Sequence, residues 1–260
     1  MSASAWIGLV VPLAFVGMWW AERRRPARRY PEIAHWARWG WAFFLLTVVI
    51  ASIVPLTLLV AGVGQWRWLN GSALGWWGLP VGLLLTSLVH YGWHRAEHAS
   101  DVLWRFGHQL HHSPTRVDMP GAYYVHPTEV VVKTLIGIAV NAWLLGLSPV
   151  VAATVTTTLA VTSLFQHWNI HTPRWLGWLV ARPEMHALHH ERDVHARNYS
   201  DLPLWDLVFG TYQNPIRFEG QVGFEPARAA RLRDMLLMRD VHKDQTARKR
   251  STCCPWACFS

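Results

Sequence analysis

Apolar and polar residues follow one another along this chain in long blocks. Ser4–Trp20 is apolar and is followed by the basic run AERRRPARR. Trp41–Val63 is a second apolar block, interrupted only by Pro55, and Trp76–Trp93 is a third. Val130–Leu147 and Pro149–Phe165 are two more, joined through Gly146-Leu147-Ser148-Pro149. A helix needs roughly 17–25 such residues to cross a bilayer, and a proline inside a spanning helix is tolerated. The pattern predicts an all-α integral membrane bundle of about three spanning helices, then a helical hairpin that enters and leaves by one face. The first block carries its positive charge after the apolar part, the reverse of a secretory signal, so it reads as a retained helix. Lys133, near the mouth of the hairpin, is placed for its stem to snorkel.

Charge adds an orientation. Residues 21–40 hold six arginines and the loop 64–75 holds one, Arg67. That excess marks 21–40 as cytoplasmic. Counting spans from there puts residues 95–128 and everything after Phe165 on the same side. The composition, 52% hydrophobic with 18 tryptophans, suits a membrane protein. The net charge of +8 would suit nucleic acid, but the arginines flank apolar blocks. Membrane orientation and anionic headgroups account for them, and no nucleic acid partner is expected. Cys253, Cys254 and Cys258 crowd into the last eight residues and form no pairing framework, so nothing requires an oxidising compartment. Residues 226–250 read as one basic helix with a loose apolar stripe of Leu232, Met235, Leu236 and Met238, either solvated or lying on the leaflet.

The chemistry is concentrated in histidine. Twelve of the fifteen lie in two windows. Leu88–Ser113 holds His90, His94, His98, His108, His111 and His112; Phe165–His195 holds His167, His171, His186, His189, His190 and His195. Each window directly follows an apolar block, so both fall on one membrane face. His94-x3-His98, His108-x2-His111-His112, His167-x3-His171 and His186-x2-His189-His190 carry helical i, i+3, i+4 spacings, which put side chains on one face. Any one histidine is more simply a core or surface residue; four such clusters together predict a metal site, because neutral imidazole is the commonest metal ligand. Ten ligands exceed one zinc site and divide as five per metal over two metals. Imidazole suits iron, zinc, copper or nickel, so the spacing does not choose among them.

Six segments carry a resemblance: HRAEH at 94–98, LWRFGHQLHHS at 103–113, HPTE at 126–129, QHWNIH at 166–171, HALHH at 186–190 and NYSDLPLWDLVFGTY at 198–212. In their order they resemble the fatty acid hydroxylase and sterol desaturase superfamily of integral-membrane di-iron proteins, over about residues 86–212. The resemblance implies a helical membrane bundle whose cytoplasmic helical cap holds two iron ions, with zinc a possible substitute in purified protein. It implies a monooxygenase that uses O2 and two supplied electrons to hydroxylate or desaturate a lipid. Carried over by position, the ligands are His94, His98, His108, His111, His112, His167, His171, His186, His189 and His190. His126 is expected behind the ligands or facing the substrate, and Asn198 and Asp206 behind the ligands as acceptors of ligand N–H groups; His195 is a further nearby polar group. Many relatives carry an aspartate two helical turns before the first ligand, where this chain has Ser87. His90, one turn before His94, is expected to replace that contact, to act as an extra ligand or to hydrogen bond within the bundle.

The expected organisation is an anchor over 1–75, the catalytic region over 76–215 and a basic cytoplasmic tail over 216–260. The substrate is expected to be a bilayer lipid. No Gly-rich dinucleotide fingerprint and no haem or ferredoxin cysteine motif occurs, so electrons are expected from a separate donor protein. Two rival readings stand beside this one. A membrane metal-binding or transport protein would place ligands near the midplane of its spans, yet no histidine or acidic residue occurs between 41 and 85. A zinc-dependent membrane hydrolase would use Glu97 or Glu191 as its catalytic carboxylate.

Overall fold

The computed structural model describes residues 3–63, 66–194 and 196–243, and among them it is helical, with one isolated bridge between Glu191 and Val222. The long helices are α1 (Ala3–Arg24), α2 (Trp36–Val60), α3 (Gly78–Ala99), α4 (Pro127–Ile138) and α5 (Pro149–His167). A 3-10 stretch over Gly71–Trp77 leads into α3, and a π-helical turn over Ala139–Leu144 extends α4. Four helical stretches among the described residues are long and apolar enough to cross a membrane: Trp36–Val60, Gly71–Ala99, Pro127–Leu144 and Pro149–His167. The hairpin is therefore built from two helices of spanning length.

Local sequence sets the hairpin's ends. His126 accepts from the Thr128 N–H and Pro127 occupies the first turn of α4. Ser148 and Pro149 do the same for α5, Ser148 accepting from the Val151 N–H at 3.4 Å. Proline at the first helical position loses no hydrogen bond. The hydroxyls of Thr154, Thr156, Thr158 and Thr162 bond back to carbonyls within α5, so an apparently polar helix pairs these four hydroxyls internally. On α2 the apolar side chains point outward: Leu56 is 58%, Leu59 69% and Val60 80% exposed. In water such a face would be a liability; in a bilayer it is the lipid contact.

The ends of α1, α3 and α5 and the beginnings of α2 and α4 gather at one end of the bundle. Glu22 Oε2, buried near the end of α1, accepts from the Met119 N–H at 3.0 Å and from the Asn169 N–H at 2.9 Å, and Ala27 N donates to Asn169 O at 2.8 Å. A cap of residues 100–126 and 168–243 covers that end. It includes α6 (Pro183–His189) and α7 (Leu204–Val208). Residues 226–243 do not form the single basic helix expected. They make two short helices, Pro226–Ala229 and Leu232–Leu236, because Arg231 bonds Asp234 Oδ2 and Val241 O and turns the chain back. Met235 and Val241 are buried with Trp36, Phe43, Leu110 and Tyr124. Gln109 holds this turn in place, accepting from Val241 N at 3.0 Å and donating to Arg239 O at 2.9 Å. Residues 244–260, with the three cysteines, lie outside the described residues.

Helix α3 packs on α5 and on the hairpin turn through glycine. A Cβ on Gly82 would stand 2.7 Å from both Asn141 Oδ1 and Val155 Cγ2, whereas one on Gly92 would meet nothing within 4 Å. Gly82→Ala is therefore expected to cost about 1–3 kcal/mol by overpacking, seen as a lower melting temperature in detergent. Gly92→Ala should leave it unchanged or raise it slightly.

Candidate metal centre

Three helical segments and one helix end supply the histidines. His94 and His98 occupy the last turns of α3. Ser100, whose Oγ accepts from Leu103 N at 3.4 Å, restarts a helical stretch that passes through a π-turn over Trp104–His108 before Gln109–His111. Single π-turns recur at functional sites because they shift the register of the side chains that follow. His167 closes α5, and α6 with the residue after it carries His186, His189 and His190.

Nine of these imidazoles converge in two groups. His94, His98, His108, His112 and His189 form one; His111, His167, His186 and His190 form the other. The His-x2-His-His boxes do not each serve one group. In each box the first and last histidines, i and i+4, go to one group and the i+3 residue to the other. At 100° per residue, i and i+4 differ by about 40° around the helix and i+3 lies on the far side of i. His111 thus joins the later window's group and His189 the earlier window's.

Proton positions explain why the arrangement suits metal. His94, His189 and His167 donate Nδ1–H to the carbonyls of Tyr199 at 2.6 Å, Arg197 at 2.6 Å and Ser163 at 2.8 Å. A carbonyl only accepts, so each ring turns a bare Nε2 lone pair inward. Those Nε2 atoms stand 3.2 Å from Nε2 of His98, 3.1 Å from that of His112, and 3.0 and 3.2 Å from those of His186 and His111. Nδ1 of His111 and of His186 has no hydrogen-bond partner, so each of these rings either gives an Nε2 proton to the facing lone pair or, with a cation among them, turns its own lone pair to the ion. The spacing equals the edge of a coordination polyhedron with bonds of about 2.1 Å at right angles. The residues present fit two metal ions.

The carbonyls behind the ligands are themselves fixed. Asp206, fully buried on α7, accepts from the N–H groups of Tyr199 at 2.8 Å and Ser200 at 3.0 Å and from Thr211 Oγ1 at 2.7 Å. Asn198, in the left-handed region at φ +53°, donates to Met185 O and Gln213 O and accepts from Gln213 N. Neither accepts directly from a ligand N–H group, the role expected of them; they instead hold the loop whose carbonyls do so. From the opposite side, Gly223 N donates to His190 O at 3.0 Å and Phe224 N to Ser113 O at 3.2 Å, so one strap pins the ends of both boxes. Arg182, wholly buried, donates to Thr172 O at 2.7 Å and pairs with Glu184 Oε2 at 3.0 Å, fixing the start of α6.

The other expected site residues lie elsewhere. His171 joins neither group: α5 ends at His167, so the helical spacing is not continued, and its ring is 54% exposed, 3.9 Å from Glu184. His90 Nδ1 is 3.8 Å from Asp201, which also accepts from Gln166 at 2.6 Å. His126 caps α4 and reaches Leu236 O at 3.2 Å. Ser87 accepts from Trp205 Nε1 at 2.9 Å and so ties α3 to α7. His195 lies outside the described residues. Two acidic residues not expected in a supporting role, Glu129 and the hydrolase candidate Glu97, stand beside the histidines. Both lie within 4 Å of His108 Nδ1, and Lys133, read as snorkelling, turns to Glu129 at 2.6 Å. Glu129 stands in the quoted HPTE and Glu97 in HRAEH, so the signal was available.

Burial holds His108, His111, His112 and His186 well below the usual imidazole value of 6.5, so these rings are neutral and ready to ligate. Because the folded values are depressed, the unfolded chain binds more protons as pH drops below 6.5, and stability falls with it. The metal-free protein is expected to melt at progressively lower temperature from about pH 6.5 toward pH 5; a flat profile would count against the buried cage. Metal analysis of purified variants tests the grouping. His189→Ala and His111→Ala should each lower metal content, while His171→Ala and His90→Ala should retain two ions per chain.

The family model for fatty acid hydroxylase matches residues 79–211, half of the chain. Among curated proteins the chain is similar to an ornithine lipid hydroxylase of Rhizobium tropici, 29% identical over 53% of this chain and 42% of that protein. It is also similar to a sphingolipid C4-hydroxylase of Schizosaccharomyces pombe, 30% identical over 48% of this chain and 44% of the other. A sphinganine C4-monooxygenase of Arabidopsis thaliana is 28% identical over 50% of this chain and 52% of the other. The chain thus spans about half the length of the curated relatives it matches. No solved structure matches it. The matched region begins in α3, takes in all nine converging histidines and ends just past α7, and on that match the chain belongs to the fatty acid hydroxylase family.

Proposed function

We propose that the chain is a membrane-bound non-haem di-iron monooxygenase that hydroxylates a C–H bond of a bilayer lipid, with O2 as oxidant and electrons from a separate donor protein. The observation that carries this reading is the pair of interleaved groups of inward-facing Nε2 atoms at the ends of α3 and α5. Two iron ions held there supply the activation of O2 and the oxidation of the C–H bond. His94, His98, His108, His112 and His189 hold one and His111, His167, His186 and His190 the other. The carbonyls of Tyr199, Arg197 and Ser163 keep the Nδ1 protons outward, so the rings ligate as neutral donors. The ligands sit where spanning helices end, so a lipid entering sideways from the bilayer brings a chain carbon to them without leaving the membrane. The charge asymmetry of the loops supports a cytoplasmic location for the cap and the carboxyl terminus.

The relatives act on ornithine lipid and sphingolipid, which supports an amide- or amine-bearing membrane lipid as the substrate class. Glu97 lies behind His108, on its Nδ1 side, and Glu191 pairs with Arg197 at 3.3 Å. Neither is placed as the carboxylate of a zinc hydrolase.

Comparing the lipids of cells with and without the gene tests the reading. A lipid heavier by one oxygen atom is expected, formed only with O2 and with iron in the purified protein. Full activity with zinc as the sole metal would overturn it. A product lacking two hydrogens would reassign the outcome to desaturation.

A further inference from the structure

His108 differs from three of its neighbours in what stands behind it. His94, His167 and His189 give their Nδ1 protons to main-chain carbonyls. His108 Nδ1 instead faces two carboxylates, Glu129 Oε1 at 3.2 Å and Glu97 Oε2 at 3.6 Å. Its Nε2 points inward, 3.0 Å from that of His112, so Nδ1 carries the proton and donates. Both carboxylates are 1% exposed. Glu97 comes from the last turn of α3 and Glu129 from the first turn of α4, and both reach His108 because the residue before it is glycine. A Cβ on Gly107 would stand 3.0 Å from Glu129 Cβ and 3.6 Å from Glu97 Oε1.

Glu97, His108 and Glu129 could be taken for a third cation site. Lys133 Nζ, 2.6 Å from Glu129 Oε1, already supplies that positive charge. It shares with His108 the same carboxylate oxygen, so the two donors compete for it. Glu97 Oε2 and Glu129 Oε2 have no hydrogen-bond partner, and the Glu129 carboxylate, paired with Lys133, turns its negative charge to the imidazole through Oε1. A carboxylate behind a ligating histidine draws its Nδ1 proton outward, pushes electron density to Nε2 and raises ligand basicity; a main-chain carbonyl does so less.

We propose that Glu129 is a positioning residue that makes His108 a stronger donor than His94 and His189 in the five-histidine group, with Lys133 as its counterweight and Glu97 as a weaker partner. The metal ion in that group is then held more tightly than its neighbour. The proposal rests on the reading of both groups as metal sites, though on neither iron nor oxygen chemistry.

Cobalt(II) is a suitable probe, because its visible bands report ligand strength whatever the native metal. The intact metal-free protein should take up two ions in two resolvable steps. Glu129→Gln keeps the shape and an acceptor oxygen but removes the charge. It is expected to weaken one step by about 10–100-fold and shift its bands, leaving the other step unchanged. Glu97→Gln should act in the same sense and less. Lys133→Met, which frees Glu129 for His108, should move the same step the opposite way. Weakening of both steps or of neither by Glu129→Gln would overturn the proposal. So would weakening by Lys133→Met, since a merely structural polar cluster suffers from loss of any member. Uptake of fewer than two ions by the unaltered protein would instead sink the two-metal reading beneath it.

Discussion

Everything in the cap answers to one electrostatic problem. Nine imidazoles meet in a buried space with Nε2 atoms 3.0–3.2 Å apart. Four of them commit their Nδ1 protons outward, to the Tyr199, Arg197 and Ser163 carbonyls and to Glu129, and so face that space with bare lone pairs. Where two lone pairs meet they repel, and a cation between them turns the repulsion into attraction. That is pre-organisation: the orienting is done during folding, and binding metal need not repeat it.

Holding such a cage requires rigid walls, and the walls are buried polar residues with several partners each. Asp206 fixes the Tyr199–Ser200 loop, Arg182 the start of α6, and Glu22 joins the end of α1 to the two backbone stretches leading into the cap. A buried polar group left unpaired is expensive, so these residues resist rearrangement in a way that apolar packing alone does not. The spanning helices deliver the ligands; the polar network keeps them aimed.

The membrane plan was legible because hydropathy reports it directly: a helix in lipid must be apolar over its whole length, whatever it packs against. The hairpin followed from block lengths, and the shared end of α3 and α5 from counting spans. Side-chain direction was less legible. Helical spacing says that His108, His111 and His112 lie near one face, but the 100° step that sends His111 to the other group matters only once a second helix supplies that group. His171 repeats the spacing of His167, yet α5 stops between them, and nothing in QHWNIH marks the stop. The buried roles of Asp206 and Asn198 depend on contacts with Tyr199 and Gln213 that are made only when a loop closes. Residues 226–243 misled because basic residues at helical spacing look solvated, whereas Met235 and Val241 are core.

The reciprocal exchange of His111 and His189 makes the two halves of the sequence mutually dependent. A module that bound one ion could be duplicated, lost or altered while its twin went on working. Here each box contributes to both groups, so the loss or displacement of a whole box disrupts both, and neither half of the centre can be inherited without the other.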